Sequence, residues 1–244
     1  MENSSIITEL LSDYHNLLTQ RIKQYGFFVE EIIKKFQSLL EKEEKDNKET
    51  SNRFNVLHFF GISETVHSQL LGFFLDPHAS HGQGDLFLKE FVNSLNINYD
   101  GGSKWFVTVE TERIDILIRR NYPHSAIIIE NKSNNASDQE NQIYRYWHRA
   151  IYSKNKDWAS SDTYRIIYLT SNHWKKPNEN TLLRPDGWGL KYPNLPERVP
   201  LKQLEWQFNN QIREWLEKCA ELLPENNNRL KEYIKQYNEY WSKK

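Results

Sequence analysis

Cysteine is nearly absent, with Cys219 standing alone in 244 residues. One thiol cannot close an intrachain disulfide or build a cysteine-based zinc site, so nothing points to an oxidising compartment. A long hydrophobic run is missing too. No stretch of about 18 apolar residues occurs, and no membrane span is expected. The opening MENSSIITELLSDYHN has no basic segment followed by an apolar one. A signal peptide is therefore not expected, and the cytoplasm is the default location. Charge of one sign is lacking as well, since 32 basic and 33 acidic residues leave a formal charge of −1. That balance argues against a globally basic nucleic-acid binder but leaves room for a local basic groove. Internal repeats and low-complexity tracts are not found. Aromatic residues, by contrast, are plentiful: 8 Trp, 13 Tyr and 12 Phe. They supply a real core despite a mean hydropathy of −0.81. The length allows one large domain or one domain with a helical appendage.

Residues 5–41 read as one long helix or a helical pair. Leu11, Tyr14, Leu18, Ile22, Tyr25, Val29, Ile32, Phe36 and Leu39 recur in steps of three and four and make one apolar stripe. Gly26 allows a bend, and EKEEKDNKETSNR is a solvated linker or helix end. Such a stripe most often packs on its own domain. The sharper reading is a second copy or a partner helix, by analogy with heptad seams. Residues 1–50 are thus expected as an N-terminal helical extension, with the main domain over 51–244. Residues 54–75 are again helical in pattern, with Ser63 as N-cap and Asp76-Pro77 as the stop. HASHGQG then forms a loop, and Asp85 is placed to cap the helix DLFLKEFVNSL.

The period then changes. WFVTVETE and RIDILIRR alternate as strands do, the second with Ile114, Ile116 and Ile118 on one face and Asp115 and Leu117 on the other. Because VETE runs straight into RIDILI, these segments read as a hairpin or as one bent strand. NYPHS is a turn signal. SAIIIENK has the apolar character of a central strand. DQENQIYRYWHRAIY follows as an amphipathic helix and YRIIYLTS as another buried strand. These two strands with their intervening helix form a parallel crossover. The long loop HWKKPNENTLLRPDGWGLKYPNLPERVP is a lid or a clamp held by its aromatics. Helices over roughly 202–223 and 227–241 finish the chain. The class is α/β (α+β), a mixed sheet with helices.

With its turn centred on Tyr122 and Pro123, the hairpin sets Asp115 opposite Glu130. Alternation puts Lys132 on the same face as Glu130. Burying two carboxylates together is costly unless something compensates. A divalent cation would, and Mg²⁺ favours one or two carboxylates plus water and phosphate oxygens. Lys132 is placed to contact water and a phosphate oxygen in such a site. The bland alternative is a charged pair at the solvated end of an edge strand, since an isolated D…ExK is common by chance. Charge interrupting the apolar IIIENK favours the sharper reading.

Several blocks then carry a resemblance. FNVLHFFGISETVHSQLLGFFLDPHASHGQGDLFLKEFV, RIDILI, IIIENK, DQENQIYRYW, YRIIYLTS, IREWLEKC and RLKEYIKQYNEY are similar, in that order, to a largely uncharacterised bacterial subfamily of the PD-(D/E)XK nuclease superfamily. The similarity spans about residues 52–240. It implies a restriction-endonuclease-like αβββαβ core and a Mg²⁺- or Mn²⁺-dependent nuclease. Its expected substrate is DNA ahead of RNA, with both left open. It implies Asp115 and Glu130 as metal ligands, Lys132 as the catalytic lysine and the Asn131 carbonyl as an extra ligand. Glu64 matches the acidic residue on the preceding helix, in the inner or outer shell of the metal. Gln142 and Tyr146, one turn apart, match auxiliary positions. Ser133 departs from the pattern, standing where an apolar residue is usual.

Other residues carry weaker signals. His67 lies one turn from Glu64 and is an auxiliary candidate or simply a core hydrogen bond. Arg145 and Arg149 on the helix, Lys154 and Lys156 beyond it, and Lys175 and Lys176 in the long loop are candidate nucleic-acid contacts. A solvated face is the plainer reading of those on the helix. His78 and His81 fit a structured turn better than a metal site. The rival functional class is a catalytically inactive nuclease-fold subunit of a bacterial defence or mobile-element complex, docked through the N-terminal stripe.

Overall fold

The computed structural model describes residues 2–100, 105–155, 158–160 and 163–242, and Lys156 lies outside them. The chain divides into two units, residues 1–54 and 55–244. The first is a single helix, α1 (Glu2–Thr50), uninterrupted at Gly26, so the helical pair does not form. The charged EKEEKDNKET segment is its last turns rather than a linker. The stripe residues Leu11, Tyr14, Leu18, Ile22, Tyr25, Val29, Ile32, Phe36 and Leu39 are exposed.

The second unit starts with a 3-10 turn (Val56–Phe59) and α2 (Glu64–Leu75). The Ser63 side chain accepts the Val66 N–H and so caps α2. At α3 (Leu86–Ser94) Asp85 precedes the first turn but makes no side-chain cap. The strands β1 (Trp105–Thr111), β2 (Ile114–Arg120) and β3 (Ser125–Lys132) follow. Next come α4 (Gln142–Trp147), continued by a π turn over His148–Tyr152, and β4 (Tyr164–Thr170). The long loop holds two short helices, α5 (Glu179–Leu182) and α6 (Trp188–Lys191). The chain ends with β5 (Gln203–Gln207), α7 (Arg213–Leu222) and α8 (Asn228–Ser242).

The sheet order is β1-β2-β3-β4-β5. β1, β2 and β3 are antiparallel neighbours, while β3, β4 and β5 run parallel. Every residue of the central β3 is buried, as its apolar run requires. On one face Ile116, Ile118, Ile127, Ile129, Ile167 and Leu169 pack beneath α2, α3, α7 and α8. On the other, Leu117, Ala126, Ile128, Ile166 and Tyr168 pack beneath α4 and the long loop. Ile114, expected with Ile116 and Ile118, joins this second cluster instead.

β1 and β2 form a true hairpin, closed by Glu112 and Arg113, both with positive φ (57° and 67°). That left-handed pair suits the two-residue turn that matches strand twist. The expected helix over 202–223 is corrected at its start. Gln203–Gln207 is a parallel edge strand whose Leu204 and Trp206 pack against the core beneath α7 and α8. Pairing with β4, far back in sequence, overrides the helical pattern. Trp188 packs against Tyr144, His148 and Tyr192. The long loop is thus clamped by an aromatic, whereas Trp174 is exposed. His81 lies in a structured turn, its Nε2 2.9 Å from the Asp76 carbonyl. Among the described residues no helix is long and apolar enough to cross a membrane.

Candidate active site

The β2–β3 ladder pairs Ile116 with Ile129. One step further in that register Asp115 stands opposite Glu130. β2 begins there, just after a tight turn, and β3 runs on beside β4, so the two carboxylates meet where the β2–β3 ladder stops being paired. The Asp115 carboxylate takes the Asn131 backbone N–H at 2.7 Å. Burial pushes the Asp115 carboxyl up to about 6, an effect opposed by that hydrogen bond and reinforced by Glu110. Glu130 is 1% exposed. Burial, and after it the Asp115 carboxylate, push Glu130 up to about 8.

Lys132 follows Glu130 on the same face. Its Nζ lies 2.6 Å from Glu130 Oε1 and 3.8 Å from Asp138 Oδ1. It also reaches Gln142 Oε1 at 3.4 Å and the Ser137 carbonyl at 3.5 Å. Burial works against the ammonium, but Glu130, followed by Asp138 and Asp115, more than offsets it and holds Lys132 above the usual lysine value. Gln142 Nε2 donates to Tyr146 Oη at 2.8 Å, so Gln142 and Tyr146 share this side of the sheet. Burial and the Glu130 carboxylate raise the Tyr146 phenol well above its ordinary value.

Asn131 alternates to the opposite face. Its amide donates to the Glu64 carbonyl at 2.8 Å and to Ser68 Oγ at 3.0 Å. Only its backbone carbonyl therefore remains for the ligand role that the resemblance implies. Glu64 is turned toward the loop after β3, where its Oε1 accepts the N–H groups of Asn134 (2.9 Å) and Ala136 (3.3 Å). Among the described residues no three or more His, Cys, Asp or Glu side chains are grouped to hold a metal ion. Glu64 accordingly does not complete a three-carboxylate cluster with Asp115 and Glu130. A cation here would take those two carboxylates and non-side-chain oxygens, which suits Mg²⁺ or Mn²⁺. The fit has a direct sign: Oε2 of buried Glu130 accepts no hydrogen bond, while Oε1 is met by the Lys132 ammonium at 2.6 Å. A buried acceptor left open in this way is what a cation would satisfy.

His67 is corrected as an auxiliary residue. Its ring is fully buried, with ring centroids 4.5 Å from Trp241, 5.6 Å from Tyr240 and 5.7 Å from Phe208. Its Nδ1 lies 3.2 Å from Tyr237 Oη. It belongs to the aromatic packing against α8, on the far side of the sheet from Lys132. Of the basic candidates, Arg149 pairs with Glu112 (3.7 Å) and Lys176 with Glu205 (3.5 Å). Arg145 donates to the Glu140 carbonyl at 2.7 Å. Lys175 donates to the Ala136 carbonyl, on the same loop that Glu64 holds, which brings it nearest to the site.

Two acidic residues went unnoticed in the sequence. Glu110 faces Asp115 in the continued β1–β2 register, Val109 pairing with Ile116. Burial raises its carboxyl, countered by a hydrogen bond from Thr65 and helped by Glu64. The VETE–RIDI spacing held that signal once a two-residue turn was assumed. Asp138 approaches Lys132 through the loop after β3, and no periodicity announces it.

Opposed carboxylates and a lysine thus make a candidate site on a mixed five-stranded sheet of the restriction-endonuclease-like kind. The chain belongs to the PD-(D/E)XK nuclease superfamily, which it matches over residues 51–239. That is a class of phosphodiester-cleaving nucleases. Comparison with curated proteins and with solved structures finds no significant match.

Proposed function

We propose that the protein is a Mg²⁺- or Mn²⁺-dependent nuclease that hydrolyses phosphodiester bonds in DNA. The observation that carries this reading is the buried Glu130 carboxylate, its Oε2 without a hydrogen-bond partner, facing Asp115 across the hairpin with Lys132 2.6 Å from its Oε1. Asp115 and Glu130 would hold the cation, with the Asn131 carbonyl as a further ligand. When bound, the cation supplies Lewis acidity and screens charge on the attacked phosphate. Lys132 presents an ammonium to water and to a phosphate oxygen, where developing negative charge is stabilised. Gln142 and Asp138 hold that ammonium in place, and Tyr146 orients Gln142. Glu64 fixes the loop after β3, which carries Ser137 and Asp138. Lys175 and Arg145 are the basic groups best placed to meet the nucleic-acid backbone.

The test is incubation of the purified protein with plasmid, linear DNA and RNA, with Mg²⁺ or Mn²⁺ and with chelator. Cleavage is expected with metal and is lost in Lys132→Ala and Asp115→Ala. Cleavage that survives both substitutions removes the assignment. RNA cut in preference to DNA corrects the substrate.

The exposed apolar stripe on α1 supports a second reading, a nuclease-fold subunit docked to a second copy or another protein. Stable association together with calorimetry showing no metal binding would favour it.

A further inference from the structure

Among the described residues two carboxylates lie within 4 Å of the Lys132 ammonium, and one of them stands outside the family's motif. Glu130 Oε1 is 2.6 Å away and Asp138 Oδ1 is 3.8 Å away. Asp138 is held firmly for a loop residue. Its Oδ1 accepts the Tyr168 hydroxyl and its Oδ2 the Asn178 N–H, each at 2.8 Å. Its side chain is 9% exposed. Tyr168 is the β4 residue directly beside Glu130 in the parallel ladder. A tyrosine fixed by the sheet thus places the second carboxylate. The neutral neighbours of the ammonium lean the same way. Ser137, at 3.5 Å through its carbonyl, immediately precedes Asp138. Gln142 is orientated with its oxygen toward Lys132, because its Nε2 is committed to Tyr146 and its Oε1 also takes the Gln139 N–H.

This arrangement answers a conflict inherent in the site. If Glu130 were the sole counter-ion of Lys132, the ammonium would compete with any cation for the same oxygens. Once the cation was bound, a buried lysine would be left facing it without compensation, which is the costly state for a buried charge. A fixed second carboxylate removes the conflict. We infer that Asp138 is a positioning residue, the counter-ion that holds Lys132 when Glu130 is given over to the metal. The inference rests on the metal-dependent reading above but concerns a residue outside its ligand set.

The experiment is a double-mutant cycle read by Mn²⁺ titration calorimetry on the full chain, using wild type, Asp138→Asn, Lys132→Ala and the double variant. Tyr168→Phe is added because it loosens Asp138 without removing its charge. Circular dichroism confirms folding of each. Asp138→Asn keeps the acceptor for Asn178 and, among the described residues, leaves Glu130 as the one carboxylate within 4 Å of the Lys132 ammonium. Its Mn²⁺ affinity is expected to fall about tenfold, in the range seen when groups that orient metal ligands are changed. Tyr168→Phe gives a smaller fall of the same sign. In the Lys132→Ala background both losses disappear, because the competitor is gone. Under turnover, Asp138→Asn lowers kcat and leaves KM nearly unchanged. Equal losses with and without Lys132 would show that Asp138 acts only as a distant charge, and would overturn the inference while leaving the nuclease reading intact. An unchanged affinity in both Asp138→Asn and Tyr168→Phe overturns it too. If wild type takes up no Mn²⁺, the metal reading fails and this inference with it.

Discussion

Asp115 supplies the rung that the β2–β3 ladder lacks: its carboxylate takes the Asn131 N–H at 2.7 Å, just beyond the last paired residues, Ile116 and Ile129. The same side chain is a structural acceptor and one half of the candidate metal site. Substitution can separate the two roles. Asp115→Asn keeps an oxygen for the N–H and removes a charge that burial disfavours. It is expected to melt no lower than wild type without metal, while cleavage falls at least about 100-fold. Asp115→Ala loses the acceptor as well, and a buried N–H left unpaired costs about 1–3 kcal/mol. Differential scanning fluorimetry and a nuclease assay on both variants check this. Equal melting of the two would show that the bond to Asn131 contributes nothing.

Stability should depend on pH and metal together. The folded pKa values of Glu130 and Asp115 are raised, to about 8 and about 6, chiefly by burial. The folded protein therefore binds more protons than the unfolded chain across this range. The stability associated with these protons is complete below the ordinary carboxylate pKa of about 4. It is lost as pH rises through 6 and then 8. A cation that needs the carboxylates ionised competes with the protons, so its stabilising effect grows with pH. The rise in Tm on adding Mn²⁺ is expected to be small at pH 5.5 and largest near pH 8.5. Thermal melts with and without Mn²⁺ across that range decide it, and a gain independent of pH would contradict the assigned site.

The hairpin was legible because its turn fixes its register. NYPHS centres the fold-back on Tyr122 and Pro123, and the apolar alternation of RIDILIRR and SAIIIENK leaves no other pairing that buries the isoleucines. The opposition of Asp115 and Glu130 follows from that arithmetic. β5 was not legible. QLEWQ is short and only half-buried, and its partner β4 lies across the long loop, so local pattern had nothing to weigh against helix. His67 misled for a different reason. α2 is buried on more than one side, with His67, Ser68, Leu71, Gly72, Phe74 and Leu75 all inside. Position within a turn of Glu64 did not say which neighbour the ring would meet. Asp138 was invisible because its meeting with Lys132 depends on the path of a loop.

Gly72 sets the distance between α2 and the sheet. A Cβ built there would fall 2.2 Å from Val109 Cγ2, far inside contact distance, so the stiff Val109 side chain, the helix or the strand must shift. Overpacking of this kind costs about 1–3 kcal/mol. Gly72→Ala is therefore expected to lower Tm by several degrees. The displacement would also reach the site, since α2 carries Glu64, which holds the loop after β3. Pairing it with Val109→Ala removes the colliding methyl groups and should recover part of the loss. A Gly72→Ala protein as stable as wild type would mean that α2 sits further from β1 than described.

His67 offers the cleanest separation of packing from chemistry. Its ring is enclosed by Phe208, Tyr240 and Trp241, and its Nδ1 meets Tyr237 Oη at 3.2 Å. Phe208, Tyr240 and Trp241 belong to the core on the face of the sheet opposite Lys132. His67→Phe keeps an aromatic ring of similar size and removes the partner of the Tyr237 hydroxyl, whose loss in a buried place costs about 1–3 kcal/mol. In a domain of this size that amounts to a fall of about 2–4 °C in Tm for each kcal/mol. Cleavage measured well below the melting temperature, per folded molecule, is expected to stay within about twofold of wild type, as it should for a residue outside the site. A kcat reduced tenfold or more with Tm unchanged would reverse the correction and return His67 to the catalytic machinery. The two roles predict opposite pairs of results, so one melt and one rate distinguish them.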